Sequence, residues 1–216
     1  MKKAFIFDLD GTLIDSMPML ERLDRIIFEG LNIPFTEEAA NIVRYIPFSE
    51  TAKYISESFD VSLTAAEVEK LLVDTVIEKY KTVDLKAGVL PFIEKAKRLG
   101  IKMCIATATD TSIASPVAER LGLFDYMELL VSCAEVGSTK DKPDVFIEAA
   151  RQLGAAPEES VVFEDGLPGA RSAAAAGFTV VGVSDPTVPA DDAERIRAVS
   201  AMYVDALTEA EKLFDE

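Results

Sequence analysis

From residue 86 onward the chain repeats one pattern, a short apolar run followed by a single amphipathic stretch that ends in glycine. "IKMCIATAT", "MELLVSC", "SVVFED" and "FTVVGVS" read as strands. "AGVLPFIEKAKRLG", "DTSIASPVAERLG", "KPDVFIEAARQLG" and "GLPGARSAAAAG" read as helices, stopped by Gly100, Gly122, Gly154 and Gly177. Strands joined by single helices must run parallel through crossovers. Strands without polar alternation need both faces covered. The pattern predicts an α/β fold with a mostly parallel sheet between helical layers. "KKAFIFD" adds a strand at the N-terminus. "AMYVDAL" adds a last one, followed by a helix opened by the capping box Thr208…Glu211.

Residues 17–82 break this pattern. Apolar positions recur at helical spacing in "MLERLDRIIFEGL", "EEAANIVRYI", "SETAKYISESF" and "AAEVEKLLVDTVIEKYK", the last behind the capping box Thr64…Glu67. The reading is a bundle of about four helices inserted after the first strand of an α/β domain. Residues 1–16 and 83–216 then form the core and residues 17–82 a helical cap. An insertion at that point follows the carboxyl end of a strand, where open α/β sheets bind ligands, so a lid is expected.

Composition excludes several functions. The formal net charge is −16, which opposes binding to nucleic acid or to an anionic membrane. The chain contains no histidine, so a Ser-His-Asp triad, a His-paired cysteine nucleophile and a His-ligated metal are all ruled out. Cys104 and Cys133 are the two thiols and read as reduced. "MKKAFIFDLD" lacks an apolar stretch of signal-peptide length, and no segment approaches a membrane span. A cytoplasmic location is expected.

Polar residues gather where strands end. "AFIFDLDGT" places Asp8 and Asp10 two apart at the end of the first strand, leaning to the same side. The strand "MCIAT" ends at Thr107, followed by Ala108. "VVFED" ends in Glu164 and Asp165, and Lys142 opens a helix after the "LLVS" strand. Each has an ordinary structural use: an acid can cap a helix, a threonine can bond backbone, and a lysine can be solvated. In a parallel sheet they would all face one crevice. Carboxylates without His or Cys suit a hard divalent cation such as Mg²⁺, which also relieves the repulsion between Asp8 and Asp10. The lysine, the Thr107 hydroxyl and the backbone N–H groups of Gly11-Thr12 are donors suited to a phosphoryl group.

These residues carry a resemblance. "DLDGT" at 8–12, Thr107, Lys142-Pro143 and "FEDGLPGARSAAAAG" at 163–177 resemble, in order, the four motifs of the haloacid-dehalogenase-superfamily hydrolases. The form is the small-helical-cap one, near the phosphosugar phosphatase and β-phosphoglucomutase branch. The resemblance implies a Rossmann-like core and hydrolysis of a small phosphorylated metabolite through an aspartyl-phosphate. Asp8 would be the nucleophile and Asp10 the acid and base. Asp8, the Asp10 carbonyl and Asp165 would hold Mg²⁺, with Glu164 outside them. Thr107 and Lys142 would hold the phosphoryl group. Lys140 is the alternative lysine, because "KPDVF" lacks the motif's second proline. In the cap, Arg44, Tyr45, Ser49, Glu50 and Lys53 are the candidates for substrate contact. The mutases use a cap histidine that this chain lacks, so hydrolysis is expected ahead of isomerisation. A phosphosugar mutase and an inactive binding protein are the alternatives.

Overall fold

The computed structural model describes residues 2–43 and 48–214. Six strands form one parallel sheet: β1 (Ala4–Phe7), β2 (Lys102–Thr107), β3 (Leu129–Ser132), β4 (Ser160–Glu164), β5 (Thr179–Val183) and β6 (Met202–Val204). Their order is β3-β2-β1-β4-β5-β6. The chain steps outward from β1 through β2 to β3, returns to β1's other side at β4, and steps outward again. The strand order therefore reverses at β1, the kind of point at which open α/β sheets bind ligands.

Alternation along β1 explains the two cores. Ala4 and Ile6 pack with Cys104, Ala106 and Val162 against α8 (Asp144–Leu153), α9 (Leu167–Ala175) and Ile196 of α10 (Ala190–Val199). Phe5 and Phe7 point the other way, into an aromatic cluster. Phe7 stacks on Phe163 with centroids 4.5 Å apart, and Phe5 stacks on Phe92 of α6 (Val89–Arg98) at 5.7 Å. Burying each such ring contributes about 1.5–3 kcal/mol. The remaining core helix, α7 (Thr111–Arg120), is capped by the Asp110 carboxylate, which accepts the Ser112 N–H.

The chain divides into two compact units, Met1–Met17 with Val83–Glu216, and Pro18–Thr82. The second unit is helical: α1 (Met17–Leu20, whose first residue belongs to the core unit), α2 (Leu23–Gly30), α3 (Glu37–Val43), α4 (Phe48–Ser58) and α5 (Ala65–Tyr80). Its core is Ile27, Phe28, Ile33, Ala39, Val43, Ala52, Ile55, Val68 and Leu72. Both halves of the Thr64/Glu67 capping box are formed. The stretch "MLERLDRIIFEGL", expected as one helix, is broken at Glu21–Arg22, where the Arg22 N–H turns back to the Met19 carbonyl.

Within the first unit, the segments leaving and re-entering the core pair with each other. Ile14 and Leu85 form an antiparallel bridge, flanked by Asp15 N–H to Asp84 O at 2.9 Å and Lys86 N–H to Leu13 O at 3.0 Å. The C-terminus departs from expectation. Leu207–Phe214 is a 3₁₀ helix, and Glu209, not Glu211, accepts a backbone N–H at its start, from Ala206. No helix among the described residues is long and apolar enough to cross a membrane.

Candidate functional site

β1 carries its ladder one residue past Phe7: the Asp8 N–H donates to Phe163 O at 2.9 Å. This fixes Asp8 at the end of the central strand, where it is 4% exposed. The chain then turns at Gly11, whose φ is +79°. A β-carbon there would lie 2.2 Å from Asp165 Oδ2, so close approach and left-handed backbone both demand glycine. The Gly11 N–H donates to Ile14 O at 3.0 Å. Because the peptide is planar and trans, that bond also fixes the direction of the Asp10 carbonyl. Gly11 thus contributes shape; its N–H, expected as a phosphate donor, is used inside the turn. Thr12 is fully buried and its hydroxyl donates to Asp165 Oδ1 at 3.4 Å.

β4 supplies the facing acids. Glu164 is 2% exposed and Asp165 5%. Glu164 Oε1 accepts the Gly166 N–H at 3.1 Å, the capping use that an acid at this position can serve. The rest of its carboxylate lies against α9, where a β-carbon on Gly169 would meet Oε2 at 2.6 Å. Oxygens of Asp8, Glu164 and Asp165 all lie within 4.8 Å of one another.

The lysine is where the sequence expectation needs correcting. Lys140 donates through Nζ to Asp8 Oδ1 and to Glu164 Oε2, the latter at 2.6 Å. Lys142 is exposed, and its N–H folds back to Thr139 O. The reason is local: Pro143 directly precedes α8, so Lys142 sits at the helix entry and faces solvent. Lys140, two residues earlier, is drawn inward because the Ser172 hydroxyl of α9 donates to its carbonyl at 2.7 Å. Ser172 gave no signal in the sequence, sitting among the alanines of a small-residue helix.

β2 brings in Thr107, 1% exposed, beside β1. Its Oγ1 accepts the Thr109 N–H at 3.0 Å, which leaves the hydroxyl hydrogen to donate elsewhere. Ala108 is exposed in the loop that follows. Thr109, which follows Ala108 at the strand end and has no role assigned from the sequence, donates through Oγ1 to Asp10 Oδ2 at 2.7 Å, while Ser16 Oγ donates to Asp10 Oδ1 at 2.7 Å. The Asp10 side chain is therefore held by hydroxyls and stands outside the acid triad. Ser49, Glu50 and Lys53 lie exposed on α4 in the second unit. Arg44 and Tyr45 fall outside the described residues.

Electrostatics follow from burial. Asp8 is raised well above an aspartate's ordinary 3.8 by burial; Lys140 opposes this, and the charges of Glu164, Asp165 and Asp10 add to it. Asp165 is pushed up to about 7, by burial first and then by Glu164. Burial lowers Lys140, but the charges of Asp8 and Glu164 outweigh it and raise the group. Three carboxylates against one ammonium leave two negative charges when all are ionised. A hard divalent cation would balance that charge, and the donor set is all oxygen. The residues fit such an ion.

A family model for a haloacid dehalogenase-like hydrolase matches residues 2–177. A phosphorylated carbohydrates phosphatase from Thermotoga maritima is 29% identical over 181 residues, 82% of each chain. The β-phosphoglucomutase of Bacillus subtilis is 27% identical over 199 residues, 88% of this chain and 87% of that one. Among solved structures, CbbY from Rhodobacter sphaeroides in complex with phosphate has a TM-score of 0.76 at 22% identity, covering 97% of this chain and 96% of that one, a likeness of fold. The family match runs from the start of β1 to the glycine that closes α9, so every acid of the cluster lies inside it, and the chain belongs to the haloacid dehalogenase-like hydrolases.

Proposed function

We propose that the chain hydrolyses a small phosphomonoester, a phosphorylated carbohydrate or similar metabolite, with Mg²⁺ as its ion. The observation that carries this reading is the buried cluster of Asp8, Glu164 and Asp165 bridged by Lys140. Asp8 is the nucleophile: a carboxylate oxygen attacks phosphorus, the P–O bond to the leaving alcohol breaks, and an aspartyl-phosphate forms. Burial opposes the ionised Asp8 that this requires, and Lys140 acts against burial. Lys140 and the Thr107 hydroxyl hold the phosphoryl oxygens. Mg²⁺ held by Asp8, Asp165 and the Asp10 carbonyl, with Glu164 beside them, would supply further charge for the phosphoryl oxygens.

Asp10 gives a proton to the leaving oxygen and then takes one from the water that attacks phosphorus, freeing Asp8. Two hydroxyls among its partners suit that exchange. Ser16 and Thr109 donate to the carboxylate, and either hydroxyl can rotate to accept when Asp10 is protonated. Selection among leaving groups is assigned to the second unit, in keeping with its place after the first motif.

The test is a panel of phosphorylated metabolites with Mg²⁺, read for phosphate release and, with glucose 1-phosphate, for isomerisation. Phosphate release that disappears in Asp8→Asn supports the reading. Isomerisation without release would replace it with a mutase, and a folded protein inert on every ester would end it.

A further inference from the structure

Lys86 stands outside every motif that the sequence singles out. Yet its side chain is only 13% exposed and it is bound on all sides. Its Nζ donates to Gly11 O at 2.7 Å, to Ser184 O at 2.8 Å and to Asp185 Oδ2 at 2.9 Å. Those three bonds use every donor that an ammonium has. Asp185, with a fully buried side chain, is held in turn: its Oδ1 accepts the Thr187 N–H at 3.0 Å and the Thr187 hydroxyl at 2.8 Å. The lysine's own N–H donates to Leu13 O, at the point where the chain re-enters the core. A lysine kept only to neutralise Asp185 has no need of the Gly11 carbonyl.

That carbonyl matters because of the plane it belongs to. Gly11 C=O and Thr12 N–H share one rigid trans peptide, so fixing the oxygen aims the N–H the opposite way. The Gly11 N–H bond to Ile14 already sets the preceding peptide. With both planes held, the turn between Asp10 and Thr12 has no remaining freedom to tilt. The bond from Lys86 is also charge-assisted, so it is stronger than a neutral one.

We infer that Lys86, anchored by Asp185, is a positioning residue for the Asp10-Gly11-Thr12 turn, fixing the peptide that follows Gly11 and the stem on which the Asp10 carboxylate is carried. The inference rests on the reading of the site as a phosphoryl-transfer centre. It adds a residue that touches neither substrate nor metal and acts through the backbone.

Three variants test it: Lys86→Met, which keeps the stem and removes the donors, Lys86→Arg, which restores them, and Asp185→Asn, which weakens the anchor. Each is measured for hydrolysis of 4-nitrophenyl phosphate with Mg²⁺ and for backbone amide exchange in residues 10–14 against the amides of β2 and β4. Lys86→Met should lower kcat about 10–100-fold, the usual loss when a supporting partner of a site is removed. It should speed exchange in residues 10–14 while leaving β2 and β4 protected. Lys86→Arg should recover most of both, and Asp185→Asn should show a smaller loss of the same kind. A kcat within twofold of the parent with unchanged exchange overturns the inference. So does exchange accelerated equally throughout the core, which would mark a purely structural lysine. If Lys86→Met does not fold, the other two variants decide by the same readouts. If the parent hydrolyses nothing, the exchange measurement still decides the clamp, and only the functional reading falls.

Discussion

Replacing Lys140 with methionine separates the two lysines that the sequence leaves in competition. Lys140 is 11% exposed at its side chain and bridges Asp8 and Glu164, themselves 6% and 3% exposed. Removing one partner of a buried ion pair leaves charge uncompensated and costs about 3–5 kcal/mol. For a chain of this length a loss of 1 kcal/mol lowers the unfolding midpoint by about 2–4 °C, so the midpoint should fall by roughly 6–20 °C. Lys142→Met removes an exposed charge and should stay within about 0.5 kcal/mol of the parent.

The deficit should also depend on pH. Asp8 is raised above its ordinary value, so the folded protein holds that proton more tightly than the unfolded chain does. Its contribution to stability is therefore lost as pH rises from about 3.8 toward the folded value. Lys140 opposes that raising; without it the loss extends to higher pH, and the variant's deficit should be larger at pH 8 than at pH 5. The lysine's own contribution is constant over this range, because it is fully present below its ordinary 10.5. Thermal unfolding of the metal-free protein at both pH values, with turnover of an aryl phosphate in Mg²⁺, reads all of this. If Lys142→Met carries the larger loss in stability and rate, or the two variants are equal, the assignment of Lys140 is refuted.

Other expectations follow from the same cluster. Asp165 lies at about 7 against an ordinary 3.8, so the metal-free protein should lose stability between pH 4 and 7; Mg²⁺ should raise the unfolding midpoint more at pH 7.5 than at pH 5, and a pH-independent shift would contradict this. Gly11→Ala places a β-carbon against Asp165 in a left-handed backbone; it should cost at least about 1–2 kcal/mol and most of the activity, checked by denaturant unfolding and by rate. Ser172→Ala removes the hydroxyl that holds the Lys140 carbonyl; a stability loss of about 1 kcal/mol with a lower kcat is expected, and an unchanged kcat would show that Lys140 needs no such anchor.

Much of this molecule was legible because burial writes plainly. The apolar runs of β1, β2, β4 and β5 could be strands only with both faces covered, and a parallel sheet then sends Asp8, Thr107, Glu164 and Asp165 to one edge. Near neighbours such as Gly11 and Thr12 came along with Asp8. What stayed hidden depends on distant partners. Lys140 was preferred over Lys142 by Ser172, 32 residues away, and nothing in the loop itself reports that bond. Lys86 meets Gly11 across 75 residues and Asp185 across 99. The C-terminal helix expected behind Thr208…Glu211 is instead a 3₁₀ helix over Leu207–Phe214, with Glu209 accepting the Ala206 N–H.

Phosphorylation of Asp8 beside an ion held with Asp165 is the step on which the proposed reaction turns. It is tested most directly by acid-quenching the working protein with labelled phosphomonoester and mapping the label to peptides. A phosphoryl group should appear on the peptide containing Asp8, present only with Mg²⁺ and absent in Asp8→Asn. Hydrolysis that proceeds at full rate with no label on Asp8, or that survives Asp8→Asn, would contradict it.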